Sequence, residues 1–138
     1  MDNLTKEQRR KNMQNIRSQN TIPEIKVMRA LKRKNIYFAK YVNSIIGKPD
    51  IVFRRKKIAV FIDSDFWHAH PTRFSMPQTN KEYWLKKIEY NKTHDKEINR
   101  QLKKDGWKVI RLWEKDIKKN LNRCVNKIAT AYYKAKIN

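Results

Sequence analysis

The sequence predicts an α/β (α+β) fold in which helices flank a mixed central sheet. Three observations support this prediction. Residues 50–53 and 58–62 are almost wholly apolar and rich in β-branched side chains, which is typical of strands buried on both faces. Longer segments before and after them carry apolar residues at helical spacing. The total length of 138 residues suits one domain with one hydrophobic core.

The first half of the chain predicts two helices and three strands. Residues 4–18 form a basic helix with few apolar residues, and residues 21–34 form a helix that a Thr-x-x-Glu capping box begins. Residues 36–41 alternate as a strand, and residues 43–49 form a loop. Residues 50–53 and 58–62 flank four basic residues, which predicts a β-hairpin at the centre of the sheet.

The second half of the chain begins with a predicted loop at residues 64–78, which contain two prolines and no regular period. A long helix follows over 79–105, capped by Thr79 and Glu82 and ended by Gly106. Residues 107–113 predict a strand, and 116–137 predict a last helix. We expect one domain over residues 1–138, with 1–20 as a basic helix or arm whose order without a partner is left open.

Charge is the strongest signal in the composition. The chain has 34 Lys and Arg against 13 Asp and Glu, a net charge of +21, and the basic residues run through its whole length. This excess predicts a polyanionic partner, either nucleic acid or an anionic membrane surface. No apolar run approaches the roughly 20 residues of a spanning helix, and the first ten residues lack a signal peptide's apolar stretch. The single cysteine, Cys124, fits a reducing compartment, so we expect a cytoplasmic protein bound to nucleic acid.

Two acids stand at the ends of the predicted central strands. Asp50 begins the first strand and Asp63 ends the second. If the tetrad 54–57 closes the hairpin symmetrically, Asp50 pairs with Phe61, and Asp63 lies diagonally on the same face, roughly 7–8 Å away. The two carboxylates could then approach one divalent cation, with the Ile62 carbonyl as a further ligand. The alternative is that both acids only mark strand ends. Acids within a strongly basic chain favour metal-dependent phosphodiester hydrolysis.

Two residues could transfer protons beside such a metal. His68 follows Asp63 by five positions and could exchange a proton with water or with a leaving oxygen, although a loop histidine with one hydrogen bond is the simpler interpretation. Glu24 is the acid of the capping box, and it could also face a metal-bound water.

The pair His68 and His70 suggests a zinc site, but further ligands are scarce. Tetrahedral zinc needs three or four protein ligands, commonly Cys or His. Only His94 and Cys124 remain, on two separate predicted helices, and Cys124 lies on an apolar helical face. We therefore expect Cys124 to belong to the core and no structural zinc to bind.

Three aromatic residues do not follow the apolar spacing of a helix or strand that faces a core: Phe66, Trp67 and Trp84. Apolar side chains of this size can wedge between base pairs of DNA and replace lost stacking. The alternative is that they cover the core beneath a loop, because aromatic residues contribute much to small cores.

Five segments occur in an order that resembles the very-short-patch repair (Vsr-type) DNA mismatch endonucleases of the PD-(D/E)xK nuclease superfamily. They are NTIPE, GKPDIVF, IAVFIDSDFWHAHP, TNKEYWLKKIEYNKTHDKEI and GWKVIRLWEKDI. The resemblance covers about residues 10–117, and the ordered set is specific where each segment alone is weak. It implies a restriction-endonuclease-like fold and a Mg²⁺-dependent enzyme that nicks one strand of duplex DNA at a T·G mismatch.

The resemblance also implies a chemical role at each matching position. Asp50 is the main ligand of one or two Mg²⁺ ions, and Ile62 contributes its backbone carbonyl. Asp63 matches an acid that many relatives carry at the strand end. His68 is the acid–base histidine, and Glu24 is an assisting acid near the metal-bound waters.

The implied DNA contacts lie on both sides of the cleavage site. Phe66, Trp67 and Trp84 match aromatics that enter the base stack beside the mismatch. Met13 matches a position that approaches the DNA from the minor groove, and we also expect Lys48 to contact DNA. The partner is double-stranded, mismatched DNA, and the enzyme is expected to act as a monomer.

The sequence departs from the family where relatives bind structural zinc. Relatives usually carry Cys or His after Phe-Trp-His and after Trp-Glu. Four other residues occupy that neighbourhood here: Ala69, Thr72, Arg73 and Lys115. His70 and Asp95 remain as candidate ligands, which again predicts no structural zinc. Asp65 stands where many relatives have Cys, and its role is unassigned.

Two further hypotheses remain open at this point. The chain could be a related endonuclease with a different target, such as a specific sequence, modified DNA or single-stranded DNA in a defence role. It could also be a DNA-binding module whose catalytic site has decayed, which the altered zinc region motivates.

Overall fold

Four strands form one mixed sheet in the order β1 (Ala39–Lys40), β2 (Ile51–Phe53), β3 (Ile58–Asp63) and β4 (Lys108–Trp113). The computed structural model describes residues 21–64 and 76–135. β1 pairs antiparallel with β2, β2 pairs antiparallel with β3, and β3 pairs parallel with β4. The predicted hairpin and the predicted mixed sheet are both confirmed.

The described helices are α1 (Ile22–Arg33), α2 (Lys81–Lys104), α3 (Glu114–Lys119) and α4 (Leu121–Lys134). This α+β arrangement confirms the predicted fold class and is consistent with a restriction-endonuclease-like fold. Within residues 21–64 and 76–135, every helix is too short or too polar to cross a membrane. The predicted helix 4–18 lies outside the described residues.

All six residues of β3 are buried, and they divide between two faces of the sheet. Ile58, Val60 and Ile62 point to a core that also contains apolar residues of α1 and α4. Ala59 and Phe61 point to a second, smaller cluster with apolar residues of α2. Because side chains alternate along a strand, Asp63 lies on the same face as Phe61, towards α2.

The capping box at the start of α1 is confirmed. The Thr21 backbone N–H donates to Glu24 Oε2 at 2.8 Å, and the Glu24 N–H donates to Thr21 Oγ1 at 3.4 Å. The predicted strand 36–41 is shorter than expected. The Ile36 N–H donates to the Leu31 carbonyl at the helix end, and Tyr41 takes a φ of 52°. Only Ala39 and Lys40 are left to pair with β2.

The predicted cap of the long helix is wrong. α2 begins at Lys81 rather than Thr79, and Asn80 precedes it with a left-handed φ of 56° and no side-chain capping bond. Asparagine tolerates this conformation, and a right-handed helix cannot run through it. The predicted end at Gly106 is confirmed, since its φ is 88° and its N–H donates to the Lys103 carbonyl.

The predicted last helix is divided in two. Asn120, with φ −149° and ψ 79°, separates α3 from α4, and its side-chain oxygen accepts the Arg123 N–H at 3.1 Å. Asparagine is a favoured cap for this reason, because its oxygen satisfies a backbone donor of the first turn. Ile117, Cys124 and Ile128 are buried as predicted, which confirms that Cys124 belongs to the core.

Candidate active site

Asp50 lies where the loop 43–49 enters the sheet, just before β2. Its backbone N–H donates to the Val60 carbonyl at 3.0 Å, and its own carbonyl accepts the Tyr41 N–H at 3.1 Å. Its side-chain Oδ2 accepts the Ile62 N–H at 2.7 Å. These contacts with β3 and with the residue after β1 fix both the backbone and the carboxylate of Asp50.

The expected pairing of Asp50 with Phe61 does not form. The regular register of β2 and β3 runs from Phe53 opposite Ile58 to Ile51 opposite Val60. One residue before Ile51, the Asp50 N–H donates to the carbonyl of Val60 and not to that of Phe61. The regular pairing of β2 with β3 is therefore interrupted at Asp50. This interruption brings the Asp50 carboxylate under the Ile62 N–H, a contact that a symmetric hairpin would not predict.

Glu24, which is buried, and Asp50, which is partly buried, form a pair of acids. Glu24 is 3% exposed, and its Oε2 accepts hydrogen bonds from the Thr21 N–H and from the Tyr41 hydroxyl at 3.3 Å. Burial raises the pKa of Asp50 to about 8, with further contributions from the Glu24 charge and hydrogen bond and from the Asp63 charge. The Ile62 N–H acts in the opposite direction. With its pKa raised in this way, Asp50 ionises at low cost only where a cation lies beside it.

Asp63 occupies the end of β3, where Arg111 of β4 holds it. The Asp63 carboxylate is buried, and its two oxygens lie 3.0 Å and 3.1 Å from Arg111 Nη1. Arg111 is opposite Phe61 in the parallel register, and its guanidinium lies 4.2 Å from the centre of the Phe61 ring. Both side chains therefore share the α2 face of the sheet.

The helix α2 supplies the remaining contacts of Arg111. Its Nε donates to Asn99 Oδ1 at 2.8 Å, and its Nη1 lies 3.7 Å from Asp95 Oδ1. Arg111 was not among the residues that the sequence predicted for the site. The sequence did contain a signal for Arg111. An arginine within the apolar strand WKVIRLW is expected to be buried only if it is paired with an acidic group.

A cleft of about 430 Å³ lies between this end of the sheet and α2. Its acidic lining residues are Asp50, Asp63, Asp95 and Glu114, and its basic ones are Lys48, His94 and Arg111. Four acids converge here in a chain whose net charge is +21. The cleft is thus an acidic site in a basic protein, which suits a cation bound beside a polyanion.

The cleft brings together most of the described residues that the sequence predicted for the site. Lys48, Asp50, Ile62 and Asp63 all line it, and Glu24 lies beside Asp50. Trp84 does not line it; this side chain is half-buried on α2, with its ring 5.1 Å from that of Tyr83. Trp84 and Asp95 are eleven positions apart on this helix, which corresponds to roughly 16 Å along the axis.

The other predicted residues fall in the parts of the chain outside the described residues. They are Met13, Asp65, Phe66, Trp67, His68 and His70. Their roles stay predictions from the sequence.

The donor atoms around Asp50 fit a Mg²⁺ ion better than a zinc ion. Mg²⁺ binds one or two carboxylates and takes its other ligands from water and substrate phosphate. Over residues 21–64 and 76–135, no three His, Cys, Asp or Glu side chains form a group that could hold a metal ion by themselves. Burial raises the pKa of the Cys124 thiol, which disfavours a metal-binding thiolate. Asp95, a candidate zinc ligand, faces Arg111 instead.

Gly47 holds the loop before Asp50 against α2, and Gly47→Ala should destabilise the protein. The φ of Gly47 is 82°, which costs an alanine about 1–2 kcal/mol. An added Cβ would also lie 2.7 Å from Ile98 Cγ2, and such overpacking costs about 1–3 kcal/mol more. Urea denaturation measures this loss of stability.

Gly106→Ala is the matched control for this prediction. Gly106 has a similar φ of 88°, but the nearest atom to an added Cβ is Lys57 Nζ at 3.7 Å, an ordinary contact. We expect only the conformational cost there. Equal destabilisation by the two substitutions would show that the contact between Gly47 and Ile98 does not hold the loop.

Comparison with known proteins identifies the family. The profile of the family DNA mismatch endonuclease Vsr matches residues 1–73, just over half of the chain. The type II nicking enzyme V.NmeDIP of Neisseria meningitidis serogroup C is 41% identical over 95% of this chain and 90% of its own length. The type II nicking enzyme V.HpaIIP of Haemophilus parainfluenzae is 39% identical over 96% of each chain. The DNA mismatch endonuclease Vsr of Escherichia coli strain K12 is 33% identical over 77% of this chain and 69% of its own. The chain belongs to the Vsr family and is a DNA nicking endonuclease.

Proposed function

We propose that this endonuclease nicks one strand of duplex DNA at a T·G mismatch by Mg²⁺-dependent hydrolysis of a phosphodiester bond. The observation that carries the proposal is the pair of acids formed by buried Glu24 and partly buried Asp50, with Asp50 lining the acidic cleft. Such a pair is costly without a cation, and a nuclease uses that cation to activate water and to neutralise charge on the phosphate.

Asp50 and the Ile62 carbonyl would hold the ion. The Ile62 N–H points to Asp50, and in a strand the N–H and carbonyl of one residue point to the same side. The carbonyl of Ile62 therefore faces the edge where the pairing of β2 and β3 has already ended. A carboxylate and a backbone carbonyl leave room for waters and a phosphate oxygen, as Mg²⁺ requires.

Glu24 and His68 would transfer the protons of the reaction. Glu24 lies close enough to Asp50 to raise the pKa of that carboxyl, so the Glu24 carboxyl would reach the waters around an ion bound there. The first turn of α1 keeps it in place through the Thr21 N–H. His68 holds the acid–base role through the family resemblance, and it follows the strand that carries Ile62.

The DNA would lie across the cleft, held mainly by phosphate contacts. Lys48 lines the cleft beside Asp50 and would bind a phosphate next to the cleaved bond. Trp84, near the start of α2, would enter the base stack together with Phe66 and Trp67, with Met13 on the minor-groove side. The enzyme would act as a monomer, because one chain supplies every group named here.

Cleavage of paired substrates tests the mismatch target. We expect nicking of a T·G duplex at least about tenfold faster than nicking of the matched duplex, because unpairing a mismatched base costs less than unpairing a matched one. The panel consists of T·G duplex, other mismatches, matched duplex and single strand, each with Mg²⁺ and with chelator. Equal rates on matched and T·G duplex would reject the mismatch target while leaving the nuclease intact.

A second target class is favoured by the names of two relatives. Both the Neisseria meningitidis serogroup C and the Haemophilus parainfluenzae proteins are named type II nicking enzymes. This chain would then be a nicking enzyme that reads a specific or modified sequence, as in a defence system. A matched duplex that is nicked at one recurring sequence, with no preference for T·G, would support this function over mismatch repair.

A further inference from the structure

We propose that Arg111 is a positioning residue that holds Asp63 and takes the place of a second divalent cation in the cleft. The cleft then binds one divalent ion per chain, at Asp50, and Asp63 serves as the anchor of Arg111 rather than as a metal ligand. The inference rests on the proposed metal site at Asp50 and specifies its stoichiometry.

The geometry of the ion pair supports this assignment. Both oxygens of Asp63 lie within 3.1 Å of one nitrogen, Arg111 Nη1. Charge-assisted contacts of this length are among the strong hydrogen bonds of proteins. The Asn99 side chain and the Phe61 ring hold the guanidinium from two other directions. Arg111 is thus fixed on both the strand and the helix that border the cleft.

Because the Asp63–Arg111 pair is largely buried, it is unfavourable for Asp63 to leave Arg111 and bind a metal ion. Asp63 is 4% exposed and the Arg111 side chain is 18% exposed. Arg111 Nη2 is already buried without a hydrogen-bond partner in the described part of the protein. Moving Asp63 to a metal ion would leave Nη1 of the same guanidinium with only its longer 3.7 Å contact to Asp95, and weakening the pairing of a largely buried charge is destabilising.

Charge balance leads to the same conclusion. Asp50, Asp63 and Asp95 all line the cleft, and Arg111 contacts the last two of them. A divalent ion held by Asp63 would lie within a few ångströms of the guanidinium and would be repelled by it. Asp50 has no such arginine among its described contacts, and its carboxylate is bonded to a backbone N–H instead.

Counting bound Mn²⁺ by electron paramagnetic resonance tests the inference, because free and bound Mn²⁺ give different signals. We expect one ion per chain for the wild type. Arg111→Met should bind two, since it frees the Asp63 carboxylate. The double variant Arg111→Met/Asp63→Asn restores the charge balance, and it should bind one ion with an affinity within about threefold of the wild type.

The double variant also separates this role from a merely structural one. Replacing both members of a buried ion pair is often neutral for stability, so this variant should fold even where Arg111→Met does not. If Asp63 were a metal ligand, the double variant would lose about tenfold or more in Mn²⁺ affinity. Far-ultraviolet circular dichroism checks the fold of each variant before the titration.

Each outcome has a definite meaning. Two ions in the wild type, one ion in a folded Arg111→Met, or a tenfold weaker double variant would each overturn the role of Arg111. No Mn²⁺ binding by the wild type would overturn the proposed metal site itself, and with it the mechanism under the proposed function. Arg111→Lys keeps the positive charge and should keep the count at one.

Discussion

Asp50→Asn should reduce the rate of Mg²⁺-dependent nicking by about 10³-fold or more while changing duplex DNA affinity by less than about threefold. The substitution keeps the size of the side chain and an oxygen for the Ile62 N–H, so the local structure survives. It removes the negative charge that would bind the metal. DNA affinity depends mainly on phosphate contacts with basic residues, and none of these is changed.

Single-turnover nicking assays and a fluorescence-anisotropy binding curve measure the two effects. Asp105→Asn is the matched control, because Asp105 is an exposed acid at the end of α2 that does not line the cleft. It should leave both rate and affinity unchanged. Mg²⁺-dependent nicking by Asp50→Asn at more than about a tenth of the wild-type rate would refute the metal role of Asp50.

The stability of the metal-free protein should fall as the pH rises from about 4 to about 8, because of the same acid. The pKa of Asp50 is 3.8 in its ordinary environment and about 8 in the folded protein, chiefly through burial. The folded state therefore holds a proton that the unfolded state releases over this interval, which destabilises the folded state as the pH increases. Each pKa unit corresponds to about 1.4 kcal/mol, so the full effect amounts to several kcal/mol.

Thermal melts at about pH 5 and about pH 8, with chelator, measure this effect against Asp50→Asn. The variant has no carboxylate to ionise, so its melting temperature should exceed that of the wild type by a margin that widens at the higher pH. Mg²⁺ should raise the melting temperature of the wild type and leave the variant unchanged. A constant margin between the two proteins at both pH values would contradict the burial of an uncompensated acid at this position.

Local sequence signals predicted the parts of the fold that local contacts determine. The box of Thr21 and Glu24 lies within one helical turn, and the end of α2 depends on the backbone freedom of Gly106. The burial of β3 follows from its unbroken apolar run. The starts of α2 and α4 were missed because an asparagine precedes each of them. Asparagine can cap a helix, adopt the left-handed conformation or lie inside a helix, and only the surrounding structure decides among these.

The candidate site divides in the same way. Asp50 and Asp63 were found because acids at the ends of apolar strands are visible in the sequence. The interruption of the pairing of β2 with β3 was not visible, because it depends on the hydrogen bonds that Asp50 makes with Val60 and Ile62. Arg111 lies 48 residues from Asp63, so only the parallel pairing of β3 and β4 brings them together.

The Glu24 carboxylate has a further consequence for how this enzyme can change. One oxygen of this side chain accepts hydrogen bonds from the N–H of Thr21, the residue that caps α1, and from the Tyr41 hydroxyl, and the same carboxyl raises the pKa of Asp50. Under the proposed mechanism, the start of a helix and the chemistry would therefore depend on a single group. Changes in the first turn of α1 would then be limited by the reaction as well as by the stability of the helix.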